Sequence, residues 1–436
     1  MSDYMFMLDS HLNGEQSKVL AEIRDAAEQA NLNLFLTGGA MRDMMGGFPI
    51  RDLDFTVEGA SVVKFAKAVA HKAKAEVVAV DELRKSVELL FPGHVHASIS
   101  MARHEKFSKP GAKPQVQPAT IHEDLRGRDF TVNAIALSLG KASRGLLLDP
   151  ANGLGDLARR ELRAIHNYAL YDDPARMLRM IRLRVRFSFA IDERTMLQYQ
   201  NVREAKLETL ISGTSMEQEL RQMAFEPQAG EILKALEEEK LLPLFSPALA
   251  GPKLNLPGFQ RWQKARQLLP HDVEVSSNSY SLFLFLLLEK LTAKERAQLI
   301  KSLGIPRTDL DAAGKLEARS KKVEKELTAA KLQRPSALYA ILSKVSGEIL
   351  LFLLMRSSQR LVIDRVKNYL QKYLPLAQEV SEKDVVGAEP GTPKFAKLYQ
   401  KMIAEKLDAR PKKVVIEEPP PPPPPGPSRR SASFGR

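Results

Sequence analysis

An α/β head with a mixed sheet and helices, followed by all-α neck, body and tail domains, is the architecture that this sequence predicts. Three observations lead there. Short apolar runs of strand length alternate with helix-period stretches up to about residue 155. Beyond Asp156 the strand signals fade and one helical pattern follows another, with breaks near Pro227, between Pro243 and Pro257, and near Pro270, Pro306 and Pro335. A chain of 436 residues is also too long for one compact core, so roughly two to four domains are expected.

The elements of the head follow in order. Residues 16–30 place apolar side chains at helical spacing without Gly or Pro, a first helix. Leu34-Phe35-Leu36-Thr37 is a buried strand stopped by Gly38-Gly39, and a short helix comes next. Residues 52–57 alternate as a second strand, residues 62–75 form an Ala-rich crossover helix, and 76–80, 86–91 and 94–101 are further strands. The expected division is a head over 1–155, a helical neck and body over 156–255 and a helical C-terminal region over 256–410. A Pro-rich basic tail over 411–436 carries seven consecutive prolines, which favour extended polyproline backbone without a packed core.

Composition narrows the chemistry. The formal charge of +12 points to a polyanionic partner, because Lys and Arg placed on phosphates release counterions. The chain has no cysteine, which excludes disulfides, thiolate zinc sites and thiol nucleophiles. MSDYMFMLDS does not read as a signal peptide, and the apolar runs at 280–288 and 349–355 are too short to span a bilayer. A cytoplasmic protein without a membrane partner is the expectation. No Gly-x-x-x-x-Gly-Lys-Ser/Thr is present, which excludes a P-loop.

The strongest motif is Gly38-Gly39-x-x-Arg42-Asp43, followed by Asp52-x-Asp54. Residues two apart on a strand share a face, so Asp52 and Asp54 present two carboxylates to one spot. Such a pair suits two Mg²⁺ ions, which can activate a 3′-hydroxyl and stabilise departing pyrophosphate. Gly38 and Gly39 let backbone approach a triphosphate at a helix N-terminus, and Arg42 adds a guanidinium one turn later. In this order the sequence resembles the head of the class II tRNA nucleotidyltransferase and bacterial poly(A) polymerase family, within the DNA polymerase β superfamily.

The resemblance continues in LRGRDFTVNAIAL (125–137), which is similar to the family's Arg-Arg-Asp-Phe-Thr-x-Asn-Ala motif. It implies that Arg128, Asp129 and Asn133 surround the triphosphate and ribose, with Gly127 in place of the family's first arginine. Where relatives often carry an Asp on the preceding strand this chain has Ser98, and Glu88 is a candidate third carboxylate.

A third block, DDPARMLRMIRLRVRF (172–187), reads as a helix with Asp173 as N-cap and Pro174 at its first position. Arg176, Arg179, Arg182 and Arg186 fall within about 120° of arc, opposite Met177, Leu178, Ile181 and Val185. The block resembles the family's Glu-Asp-x-x-Arg motif, which implies that Asp173 and Arg176 read the incoming base. The chemistry agrees: a carboxylate only accepts and a guanidinium only donates, which complements the amino and ring-nitrogen edges of cytosine and adenine. Arg179 and Arg182 would then face the phosphates or the RNA.

The resemblance implies nucleotide addition to an RNA 3′ end with ATP and CTP as substrates and tRNA or another RNA as partner, and no DNA. CCA addition to tRNA, a poly(A) polymerase using ATP alone on other RNAs or an enzyme adding only part of CCA, and a non-catalytic RNA-binding module are the readings this leaves. Some relatives carry a C-terminal phosphohydrolase domain built on a His-Asp pair with further histidines, and His271-Asp272 is the one dipeptide here that resembles that pair. No other histidine follows His166, so its metal cluster cannot be assembled.

Overall fold

The computed structural model describes residues 3–270, 275, 277–329, 332–381 and 384–409. The proline-rich tail and His271-Asp272 lie outside the described residues. Helices α1 (Asp3–His11) and α2 (Gly14–Gln29) lead in, and α2 starts on a capping box in which Asn13 and Gln16 satisfy each other's backbone N–H.

Strand β1 (Leu34–Thr37) runs directly into α3 (Gly38–Met45), and β2 (Leu53–Val57) returns beside it. Then come α4 (Val62–Ala73), β3 (Glu76–Asp81), β4 (Ser86–Phe91) and β5 (Val95–Met101). A separate hairpin of β6 (Arg103–Lys106) and β7 (Gln115–Pro118) precedes α5 (Ile121–Arg126), and β8 (Ala136–Ser138) and β9 (Leu147–Leu148) close the sheet.

The sheet order is β3-β4-β5-β2-β1-β8-β9, with β2 and β5 parallel and the other neighbours antiparallel. It is therefore mixed, as expected. Alternation gives it two faces. On one, Phe55, Val87, Leu89, Ala97 and Ile99 join a core with Val19, Ile23, Ala66 and Val69 from α2 and α4. On the other, Asp54, Ser98 and Glu88 share one cross-strand row, because Asp54 pairs with Ser98 and Ser98 with Glu88.

Helix α6 (Gly153–Arg159) carries the chain out of the head, so the expected boundary at 155 falls inside a helix. The helical part follows as α7 (Ala169–Asp172), α8 (Ala175–Phe187), α9 (Glu193–Glu204), α10 (Gly213–Phe225) and α11 (Ala229–Glu238), then further helices including Leu256–Arg266, Arg307–Leu327 and Pro393–Asp408. Its one strand pairing is the two-residue match of Glu161–Leu162 with Ala190–Ile191 among the described residues. One apolar core continues from Leu36 and Met41 in the head through Met177 and Ile181 on α8 to Phe283 and Leu353. No single described helix is long and apolar enough to cross a membrane, and Ser279–Leu288 and Gly347–Arg356 have most of their residues buried.

Two expectations about local structure need correction. Asp52 stands one residue before β2, so strand alternation does not set its direction. Helix α8 begins at Ala175 with Pro174 as its cap residue. Asp173 nevertheless performs part of a cap's work, since its Oδ1 accepts the Ala175 N–H at 3.1 Å.

Candidate active site

A cleft of about 580 Å³ separates the polar face of the sheet from α8 and α10. That volume suits a nucleotide. Asp52, Asp54, Ser98 and Glu88 line the sheet side, Gly38 and Gly39 one end, and Asp173, Arg176, Arg179 and Arg182 the helical side.

Gly38 begins α3 with φ +64°, a left-handed conformation that glycine adopts without cost. A Cβ there would lie 2.9 Å from Nη1 of Arg128, and one on Gly39 would lie 3.1 Å from Oδ2 of Asp54. The two glycines thus keep space open directly above a carboxylate and a guanidinium. The N-terminus of α3 lies at this end, with the Gly38 N–H donated to the Ile135 carbonyl at 3.3 Å.

Asp54 Oδ1 accepts a 2.9 Å hydrogen bond from Ser98 Oγ, while Asp52 makes no hydrogen bond or ion pair among the described residues. Burial and then the neighbouring Asp52 push the Asp54 carboxyl up to about 6, and crowding by protein also raises Asp52, although its side chain reaches solvent. Two carboxylates that repel each other beside an opening only glycine permits form a fitting seat for hard divalent cations. Among the described residues no third carboxylate or histidine joins them. Glu88 is displaced by Ser98, which stands between it and Asp54 in the cross-strand row, so the remaining ligands would be substrate oxygens and water.

A raised carboxyl pKa has a signed consequence. The folded state holds the Asp54 proton between about pH 4 and pH 6 while the unfolded state has released it, so stability falls as pH rises through that window. Above it, the metal-free protein carries a penalty of about 1–2 kcal/mol after allowance for partial exposure. Asp54→Asn should therefore melt higher than wild type at pH 7.5 without metal, and the gap should close below about pH 4. Mg²⁺ should raise the wild-type melting temperature and leave the variant unchanged. Equal melting curves at pH 7.5 would contradict this account of the pair.

Arg128 is fastened under the glycines. Its Nε and Nη2 donate to Asp124 at 2.9 and 2.8 Å, and Nη2 also reaches Thr56 at 3.0 Å. Asp124, one helical turn away, was absent from the sequence-based candidates, and its i to i+4 spacing was the available signal. Asn133 accepts from Arg42 at 2.6 Å and donates to Asp129 at 2.9 Å. Asp129 also accepts from Arg179 at 2.9 Å. Burial alone would raise the Asp129 carboxyl, but Arg179 and Arg176 override it and hold the group well below the usual range. Asp129 and Asn133 thus order the cleft wall through protein contacts.

At the start of α8, Arg176 is buried, with Nη1 donating to the Arg128 carbonyl at 2.9 Å and Nη2 to that of Gly127 at 3.3 Å. Its Nε faces Oδ2 of Asp173 at 3.7 Å. The pair is adjacent and held in place by the head, and the Asp173 side chain retains 26% exposure toward the cleft.

Arg179 and Arg182 differ from expectation. Arg179 bridges Asp129 and Glu219, and buried Arg182 bridges Glu219 and Glu226 at 3.1 and 3.0 Å. A guanidinium whose charge is already met by two buried carboxylates is not a free phosphate fork. Glu219 and Glu226 come from α10 and its end, some forty residues further along the chain, and Asp129 from fifty residues before Arg179, so α8 alone looked uncompensated.

The chain is similar to known proteins over its head and in its fold. Residues 34–163 match the model of the Poly A polymerase head domain. An A-adding tRNA nucleotidyltransferase of Halalkalibacterium halodurans is 34% identical over 44% of this chain and 45% of its own length. A CC-adding tRNA nucleotidyltransferase of Deinococcus radiodurans is 37% identical over 38% of this chain and 44% of its own. The chain thus spans less than half the length of these curated relatives. A solved CCA-adding enzyme in an apo form shares the fold at TM-score 0.54 and 22% identity, covering 94% of this chain and 96% of that one.

Proposed function

We propose that the chain belongs to the class II tRNA nucleotidyltransferase and poly(A) polymerase family, which its head resembles over residues 34–163, and that it adds C, A or both to the 3′ end of tRNA in the cytoplasm. The observation that carries the reading is one cleft that brings Asp52, Asp54, Gly38, Gly39, Asp173 and Arg176 together from three separate segments.

In this reading the RNA 3′-oxygen displaces pyrophosphate from the α-phosphate of CTP or ATP. Asp52 and Asp54 would hold two Mg²⁺ ions, which supply Lewis-acid stabilisation of the attacking and leaving oxygens. The chain's own groups do the rest. Gly38 and Gly39 admit the triphosphate, and the first amides of α3 meet its charge. Ser98 holds Asp54 by one oxygen, leaving the other toward the cleft. Arg128 places positive charge beneath the glycines, and Arg42 lies beside them, restrained by Asp43 and Asn133. Asp173 accepts from an exocyclic amino group while Arg176 donates to the adjacent ring acceptor, a pattern that C and A satisfy and that U and G, with a carbonyl beside an N–H, do not.

The test is incorporation of labelled CTP or ATP, with Mg²⁺, into tRNA lacking its 3′ end and into a generic RNA. Short C, A or CCA extension restricted to tRNA is the expected result. Long A tails on both RNAs would assign a poly(A) polymerase instead, and no extension of either would leave an RNA-binding protein.

A further inference from the structure

The ion pairs around the cleft close into a ring. From Asp129 it runs to Arg179 (2.9 Å), Glu219 (2.9 Å), Arg182 (3.1 Å) and Glu226 (3.0 Å). From Glu226 it passes to Arg186 (3.5 Å), Asp43 (2.7 Å), Arg42 (2.9 Å) and Asn133 (2.6 Å), which returns to Asp129 (2.9 Å). Four guanidiniums alternate with four carboxylates, so the formal charge cancels. Asn133 is the single neutral member, and it stands where a cation must meet an anion by accepting from one and donating to the other.

The route matters as much as the closure. Arg42 and Asp43 lie on α3, one turn past Gly38 and Gly39. Arg179 lies on α8 one turn past Arg176, and Glu219 and Glu226 belong to α10 and its cap. The ring therefore links the glycine end of the cleft to the Asp173/Arg176 end by two independent paths, one through Asn133 and Asp129 and one through the glutamates. Phe187 backs it, with the Arg42 and Arg186 guanidiniums 4.7 and 4.6 Å from its ring centre. Glu219, Glu226, Asp43, Arg42 and Arg182 are buried and each has two partners or more, so they tolerate little displacement, because a shift leaves a charge unpaired away from water.

We infer that Glu219 and Glu226 are positioning residues that fix the separation between the triphosphate seat and the base-reading pair, and so set nucleotide selectivity without touching the nucleotide. The inference rests on the function proposed above. It requires that opening the ring anywhere loosen base choice before it harms phosphoryl transfer.

Glu226→Gln and Glu219→Gln each remove one charge and keep the shape. Each should raise the KM for CTP and ATP and cut discrimination against UTP about five- to tenfold, with kcat for the correct nucleotide changed less than twofold. The double variant should discriminate no worse than either single one, because a ring already cut gains little from a second cut. Glu226→Asp, which retains charge, provides a milder opening if the amides fold poorly, and should fall between wild type and Glu226→Gln. Equilibrium dialysis of CTP against UTP without RNA should show the same loss of preference. Unchanged selectivity in a folded variant, or losses that multiply in the double variant, would overturn the ring as a positioning device. Failure of wild type to incorporate any nucleotide would instead overturn the functional reading beneath it.

Discussion

Asp52→Asn and Asp54→Asn are each expected to cut nucleotide incorporation by at least about a thousandfold while leaving the fold and RNA binding in place. Neither carboxylate supports the scaffold. Asp52 has no hydrogen-bond or ion-pair partner among the described residues, and Asp54 accepts only from Ser98. Both carboxyls are raised, so the folded chain holds them at a cost, and neutral amides of the same size should be tolerated well. Loss of activity together with a melting temperature above that of wild type, for Asp54→Asn at pH 7.5 without metal, is the signature of groups kept for chemistry. Incorporation within a few-fold of wild type at saturating Mg²⁺, by either variant, would remove the cation-holding role.

The second large effect is on base choice. If Asp173 and Arg176 meet the base edge, removing one leaves a donor or acceptor unpaired at a cost of about 1–3 kcal/mol. Selectivity for C and A over U and G should then fall by roughly ten- to a hundredfold. A competing account makes Asp173 a helix cap, and the Ala175 N–H on its Oδ1 gives that account substance. It predicts about 1 kcal/mol of lost stability and normal selectivity. Asp173→Ser separates the two, because serine retains an oxygen for the amide and loses the charge. Incorporation of all four nucleotides on one RNA, measured with the melting temperature, should show relaxed selectivity and near-normal melting. Normal selectivity would leave Asp173 as a cap.

What was legible in the sequence was local. Gly38-Gly39 at a strand-to-helix junction and Asp52-x-Asp54 at the entry to the returning strand declare themselves by spacing, and the strands from Glu76 to Met101 by alternation. The order of those strands was not legible. No local signal puts β5 against β2 in parallel, yet that pairing brings Ser98 to Asp54 and strands Glu88 one position too far. The arginines of α8 mark the same boundary. Read within their own helix they form a cationic stripe with no acid near, which favours phosphate. Their true partners, Glu219, Glu226, Asp129 and Asp43, come from other segments that only folding brings alongside. Arg176 kept its expected place because its constraint, the carbonyls of Gly127 and Arg128, belongs to the neighbouring motif.

The measurement that bears most directly on the central claim is a structure of the Asp54→Asn variant with CTP and, separately, with ATP. The account predicts the triphosphate over Gly38 and Gly39, the α-phosphate facing Asp52 and Asn at position 54, and the amino edge of either base against Asp173 and Arg176. A nucleotide seated elsewhere, or a base turned away from Asp173 and Arg176 in both complexes, would contradict it.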